Sequence, residues 1–212
     1  MKEERYTMKN KKYVITISRQ FGSLGRPIAK KMSELLNIEY YDRDLVDEAA
    51  KKLQLPESVI SEEEENATVK IPFYLRRMIF PLGKNTNSKQ DEIFNAQQNI
   101  IKFLADRESC IIVGRCSDFI LSEEENALHI YIYASFEERV KNCIKKLGLS
   151  EYEAKKMIVE VDEARKAYHM NYAGYLPDDK NHKDILIDSS ILGIDGTAEY
   201  LVELVKRKFD LL

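Results

Sequence analysis

The sequence predicts an α/β domain in which a parallel sheet of five short strands carries helices on both faces. Three observations predict it. Five short runs rich in β-branched and apolar residues, at 14–17, 38–41, 110–114, 128–134 and 184–188, are separated by segments with helical spacing. The first run passes through Gly22 and Gly25 straight into a helix. The interval between the second and third runs is too long for a single crossover, so an extra piece is expected at about 56–92, and a second protrusion at about 149–182.

Composition sets bounds on this reading. A chain of 212 residues with 44% hydrophobic residues has room for one core. The charged residues, 33% of the chain, are mixed in sign, and the net charge of −3 gives no reason to expect nucleic acid or an anionic membrane as partner. Residues 1–12 lack the apolar run of a signal peptide, and no stretch approaches the roughly 20 apolar residues of a membrane span. Cys110, Cys116 and Cys143 are odd in number and lack a C-x-x-C spacing, which favours reduced thiols in a cytoplasm. His129, His169 and His182 are scattered, and the glutamate run 62–65 reads as a solvated face, so no metal site is expected from protein ligands.

The elements follow in order. Val14, Ile15, Thr16 and Ile17 form a buried strand, and Ile28, Met32, Leu35 and Leu36 mark the next helix. Pro27 suits its first turn, where a missing N–H costs nothing. Strand, glycine loop and helix together make a nest of backbone N–H groups at a helix N-terminus, a ready site for phosphate within reach of Arg26. The full P-loop pattern is Gly, four residues, then Gly-Lys-Ser/Thr. Here Gln20 stands at the first glycine, Gly25 and Arg26 at the Gly-Lys pair, and Pro27 at the hydroxyl. The match is degenerate, and a glycine loop between strand and helix also serves as plain punctuation.

Asn37 is a left-handed cap, and the second strand ends in a polar cluster at Asp42, Arg43 and Asp44. Ligands gather at the carboxyl ends of strands in open α/β sheets. Asp42 and Arg43 are therefore site candidates, with helix capping as the competing role of Asp42. A helix at 45–55, a flap at 71–82 and a polar loop at 83–90 follow. Ser88, with Asp91, then opens a helix whose stripe is Ile93, Gln97, Ile100, Ile101 and Leu104. The third strand stops at Gly114 and Arg115, again at the carboxyl edge, where a surface ion pair is the alternative use of the arginine. Ser135 with Glu138 and Ser150 with Glu153 are capping boxes for the next two helices, the first closing at Gly148. On the second, Asp162 and Arg165 share a face, as a simple ion pair would. Residues 171–183 read as loop, and a closing helix at 196–209 turns Leu201, Val202, Val205 and Phe209 inward.

Residues 15–26 (ITISRQFGSLGR), 40–45 (YYDRDL), 112–116 (IVGRC), the run 134–139, and Asp162, Arg165 and Tyr168 at i, i+3, i+6 resemble, in this order, the cytidylate kinase-like family of nucleoside monophosphate kinases. The resemblance extends over nearly the whole chain from Tyr13. It implies a three-layer P-loop kinase fold with strand order 2-3-1-4-5: a core of 13–55, 93–148 and 183–212, an NMP-binding insertion at about 56–92 and a lid at about 149–182. It implies ATP as donor, Mg²⁺, and a small nucleotide as acceptor. The loop Phe21, Gly22, Ser23, Leu24, Gly25, Arg26 and Pro27 would cradle the ATP phosphates. Asp42, Arg115, Asp162 and Arg165 would bind the acceptor, and Arg26, Arg139 and Arg165 would neutralise transition-state charge. The chain departs from the family pattern in three places: Arg26 replaces the loop lysine, Pro27-Ile28 the hydroxyl that ligates Mg²⁺, and Cys116 the aspartate of Gly-Arg-Asp. Two other readings stay open beside the cytidylate kinase-like one. They are a nucleotide- or phosphate-binding module without turnover, and a kinase of a different small metabolite.

Overall fold

A computed structural model describes residues 12–42 and 87–211. The helix at 45–55, the flap at 71–82, Arg43, the run 62–65 and most of the 56–92 insertion lie outside the described residues. Strands β1 (Val14–Arg19), β2 (Glu39–Tyr41), β3 (Cys110–Val113), β4 (Ala127–Tyr133) and β5 (Ile185–Asp188) form one sheet in the order β2-β3-β1-β4-β5. Every pairing is parallel. β1 is central, with Val14 opposite both Cys110 of β3 and Ala127 of β4.

Alternation along the strands splits the core in two. Ile15, Ile17, Ile111, Val113, Ile130 and Ile132 face helices α1 (Gly25–Leu36) and α6 (Gly193–Lys208), where Ile28, Met32, Leu201 and Val205 complete the layer. Val14, Cys110 and Ile112 face the other way, against Phe94 and Ile101 of α2 (Asn87–Arg107) and Ile120 of the short α3 (Ser117–Ile120). Near-continuous apolar strands are what burial on both faces requires. Helices α4 (Phe136–Leu147) and α5 (Glu151–Ala173) enclose a third, smaller cluster with Phe21, built on Val140, Cys143, Ala154, Met157, Ile158 and Val161. Among the described residues no helix is long and apolar enough to cross a membrane.

Five elements differ from the sequence reading by more than a one-residue shift of a strand end. β1 continues two residues past Ile17, because Ser18 and Arg19 still pair with Tyr131 and Ile132 of β4. Helix α2 is already in place at Asn87, so 87–90 are helical and not loop, and Ser88 lies inside the helix. The four-residue α3 follows β3 without any periodicity long enough to announce it. Helix α5 runs through Ala173 and closes on Gly174 in the left-handed conformation. Helix α6 begins at Gly193 and not at Gly196.

Of the two capping boxes only the second closes. Ser150 accepts from the Glu153 amide while the Glu153 carboxylate accepts from the Ser150 amide at 2.9 Å. Ser135 likewise caps Glu138, but the Glu138 carboxylate turns to Lys141 at 2.6 Å. Helix α5 carries Asp162, Arg165 and His169, so its first turn bears on the site. Ser150→Ala should lower the unfolding free energy by about 1 kcal/mol, read as a lower urea midpoint at an unchanged slope.

Candidate active site

A cleft of about 330 Å³ opens at the carboxyl ends of β1 and β3. Its floor is the loop between β1 and α1, with Phe21, Gly22, Leu24, Gly25, Arg26 and Pro27 in the wall. Leu24 sits at the helix N-cap in a left-handed conformation (φ 61°), no side chain caps the helix, and no acidic residue occupies its first turn. The first amides of α1 are therefore left for an anion. Ser23 belongs to the loop but not to the cleft. Its fully buried hydroxyl is shared between the Gln20 and Ile132 carbonyls at 2.9 and 3.0 Å, and its own carbonyl accepts from Ser189 at 2.7 Å.

Asp162 braces this loop. One carboxylate oxygen accepts the Phe21 amide at 2.7 Å, and the other pairs with Arg139. Arg139, itself buried, also donates to the Phe21 carbonyl at 3.3 Å. Asp162 and Arg139 thus stand behind the cleft wall, whereas Arg26, Arg115 and Arg165 line the cleft. Arg165 donates to the Arg19 carbonyl at 2.9 Å and lies 5.8 Å from the Phe21 ring centre. Burial, with repulsion from Arg26 added, pushes its guanidinium down to about 10 despite nearby Asp162, so it stays charged at neutral pH. Asp42 lies just after β2 and reaches Arg26 at 3.6 Å while accepting from the Tyr40 hydroxyl at 3.2 Å.

Arg115 reaches the cleft through an unusual turn. Gly114, Arg115 and Cys116 are all left-handed, with φ of 84°, 60° and 52°. Two consecutive non-glycine residues in that region cost about 1–2 kcal/mol each, a strain typical of functional turns. The Cys116 and Cys143 thiols also face the cleft, but burial raises both, Cys143 to about 11, so neither is a thiolate nucleophile.

Sequence reasoning missed the acidic centre beside this turn. Asp118 is 1% exposed and gathers Lys183, the His169 Nε2 at 3.0 Å and the Tyr175 hydroxyl at 3.3 Å, with the Ser18 hydroxyl at 3.5 Å. Ser18 and His169 belong to the cleft wall as well. Burial alone would raise the Asp118 carboxyl, but the His169 hydrogen bond and the Lys183 charge hold it far below the ordinary value. These partners come from β1, α5, the turn after α5 and the segment before β5, so no sequence spacing joins them. The only signal was an aspartate two residues beyond the place where the family pattern has one.

The parallel 2-3-1-4-5 sheet and the anion-accepting loop after β1 define a P-loop kinase fold. The chain belongs to the cytidylate kinase-like family, whose sequence model matches residues 14–191. Among solved structures it is similar to an uncharacterized protein of Eubacterium ventriosum, at 27% identity over 94% of this chain and 99% of that one, with a TM-score of 0.68. It shares its fold with the shikimate kinase of Acinetobacter baumannii, solved with shikimate, at 11% identity, 93% and 94% coverage and a TM-score of 0.52. The shikimate kinase of Bacteroides thetaiotaomicron is alike at 10% identity, 93% and 98% coverage and the same score. No curated protein matches the sequence. Family and fold together support a phosphotransferase.

Asp118→Asn leaves Lys183 buried without its counter-charge and should cost about 3–5 kcal/mol of stability. Because the folded carboxyl is depressed, its contribution is complete above the ordinary aspartate value of about 4 and is lost as the pH falls below it. The stability gap between wild type and variant should therefore narrow on acidification from pH 5 to pH 2, as checked by urea unfolding across that range.

Proposed function

We propose that this protein is a kinase that moves the γ-phosphoryl group of ATP to a small acceptor, a pyrimidine nucleoside monophosphate in the first instance. The observation that carries the reading is the convergence of Arg26, Arg115 and Arg165 on a cleft whose floor is the open N-terminus of α1. Residues 21–27 would hold the donor phosphates through backbone amides and Arg26. Asp42, Arg115, Asp162 and Arg165 would form the acceptor side, Asp162 acting through the loop that it braces. Residues 56–92 would be the NMP-binding insertion and 149–182 the lid, and the cytoplasm would keep the three free thiols reduced.

In the transfer, an acceptor phosphate oxygen forms a bond to the γ-phosphorus while the bond from that phosphorus to the β–γ bridging oxygen breaks. The electron pair leaves with ADP. The acceptor oxygen is already anionic, so no protein base is required. The work of the protein is positioning and charge stabilisation, supplied by Arg26 and Arg165, with Arg139 fixing the loop from behind. The open amides of α1 and the Arg26 guanidinium suit donor phosphates. Mg²⁺ finds less: Pro27 occupies the hydroxyl place, Ser23 is turned into the core, and among the described residues no group of three or more His, Cys, Asp or Glu is placed to hold a metal. Mg²⁺ bound with the donor nucleotide would add charge neutralisation.

The same missing hydroxyl favours a second reading, a nucleotide- or phosphate-binding module without turnover. ADP release with ATP and Mg²⁺ against CMP, dCMP, UMP and shikimate separates the two. Turnover on a pyrimidine nucleotide supports the first reading, turnover on shikimate alone moves the acceptor to a metabolite, and ATP binding with silence on every acceptor supports the module. Arg26→Ala should lower kcat/KM by about 10²–10³-fold, and an unchanged value would remove Arg26 from the phosphate site.

A further inference from the structure

Arg19, the last residue of β1, is absent from every role assigned above, yet the fold makes room for it. Its side chain runs between two glycines on opposite sides of the cleft. A Cβ on Gly25 would lie 2.8 Å from the Arg19 Cβ, and one on Gly114 would collide with Arg19 Nη1. The stem therefore passes under the start of α1 and the guanidinium reaches the strained turn that presents Arg115. Arg19 lines the cleft together with Arg26, Arg115 and Arg165.

No ion pair among the described residues answers it. Among the described residues no carboxylate lies within ion-pair distance of Arg19, and its side chain makes no hydrogen bond. Asp42 is felt at longer range, but its ion pair is with Arg26. Burial lowers the guanidinium well below its usual value, and Arg165 and then Arg26 lower it further. Arginine keeps its charge in proteins nonetheless. A partly buried cation beside two others is unfavourable unless an anion joins them. A lysine at the Arg26 place would be a point charge on the phosphates, whereas a forked guanidinium can hold two oxygens at once.

We infer that Arg19 is a catalytic residue, the cation that grips the transferred phosphoryl group between the loop at Gly25 and the acceptor-side turn at Gly114. The position supports it: the side chain spans from the donor loop to the turn of Arg115, so one fork faces the interval that the phosphoryl group crosses. The ligand class is a di- or triphosphate anion. The role rests on the phosphoryl-transfer reading, but the binding that underlies it can be measured without turnover.

The test uses Arg19→Met and Arg19→Lys in the full chain, with inorganic pyrophosphate as probe by calorimetry and by the shift in Tm. Arg19→Met keeps the length of the stem and removes the charge. It should melt at or above the wild-type temperature without ligand, bind pyrophosphate at least tenfold more weakly and lose the ligand-induced rise in Tm. Arg19→Lys should recover part of the affinity. A strut would behave otherwise: Arg19→Met would melt several degrees lower and bind pyrophosphate as wild type does, and that result overturns the assignment. So does failure of both variants to fold, or a wild-type protein that does not bind pyrophosphate. Arg19-dependent binding in a wild type that never releases ADP would leave the anion site standing and defeat the kinase reading. Turnover equal in wild type and Arg19→Met would do the reverse.

Discussion

The Asp162 carboxylate holds the site in one piece. It takes the Phe21 amide with one oxygen and Arg139 with the other, while Arg139 returns to the Phe21 carbonyl. Three segments far apart in sequence, the loop after β1, the start of α4 and the middle of α5, are locked by a single charged group. Charge-assisted bonds of this kind, in a partly buried place, are worth more than exposed ones. The apolar cluster of Phe21, Val140, Met157 and Val161 beneath it supplies the non-directional part of the same attachment. A glycine-bearing loop has many conformations available, and this brace selects the one whose amides face the cleft.

The charge balance of the cleft follows from that arrangement. With Asp162 spent on Arg139 and the loop, and Asp42 on Arg26, the carboxylates near the cleft are committed. The wall itself carries Arg19, Arg26, Arg115 and Arg165. A concave surface of one sign, with low-dielectric walls and open helix amides, concentrates anions. Asp118, the one fully buried carboxylate among the described residues, is neutralised by Lys183 and engaged by His169, so it ties α3 to the end of α5 and to the approach to β5 without cancelling the arginines.

Strain and close approach meet at the turn after β3. Gly114 has no Cβ because the Arg19 side chain occupies that space, and the left-handed Arg115 and Cys116 that follow turn the chain back over the sheet edge. The cost is local, and the buried pairing of β1 with β3, from Val14–Cys110 to Ile17–Val113, over-determines the position of the turn.

The sequence by itself determined the class of fold. Apolar strands at regular intervals, a Gly-Pro entry into α1 and a complete capping box at Ser150 and Glu153 are local patterns, and local patterns are what periodicity and propensity report. The strand order came from the resemblance that the motifs carry, and parallel pairing bears it out. The loop 21–27, Arg26, Arg115 and Arg165 were legible as candidates for the same reason, each standing at the carboxyl end of a strand or in a recognisable motif, and all but Ser23 line the cleft. Only the tertiary structure decided which of the named residues face the cleft and which stand behind it. Ser23 turns into the core, and Arg139 and Asp162 pair with each other, because partners more than 20 residues away set their directions. Arg19 gave no local signal, and Asp118 only its place two residues beyond the family's aspartate. Their environments are assembled from separate strands, turns and helices, and an electrostatic field or a missing Cβ has no period along the chain.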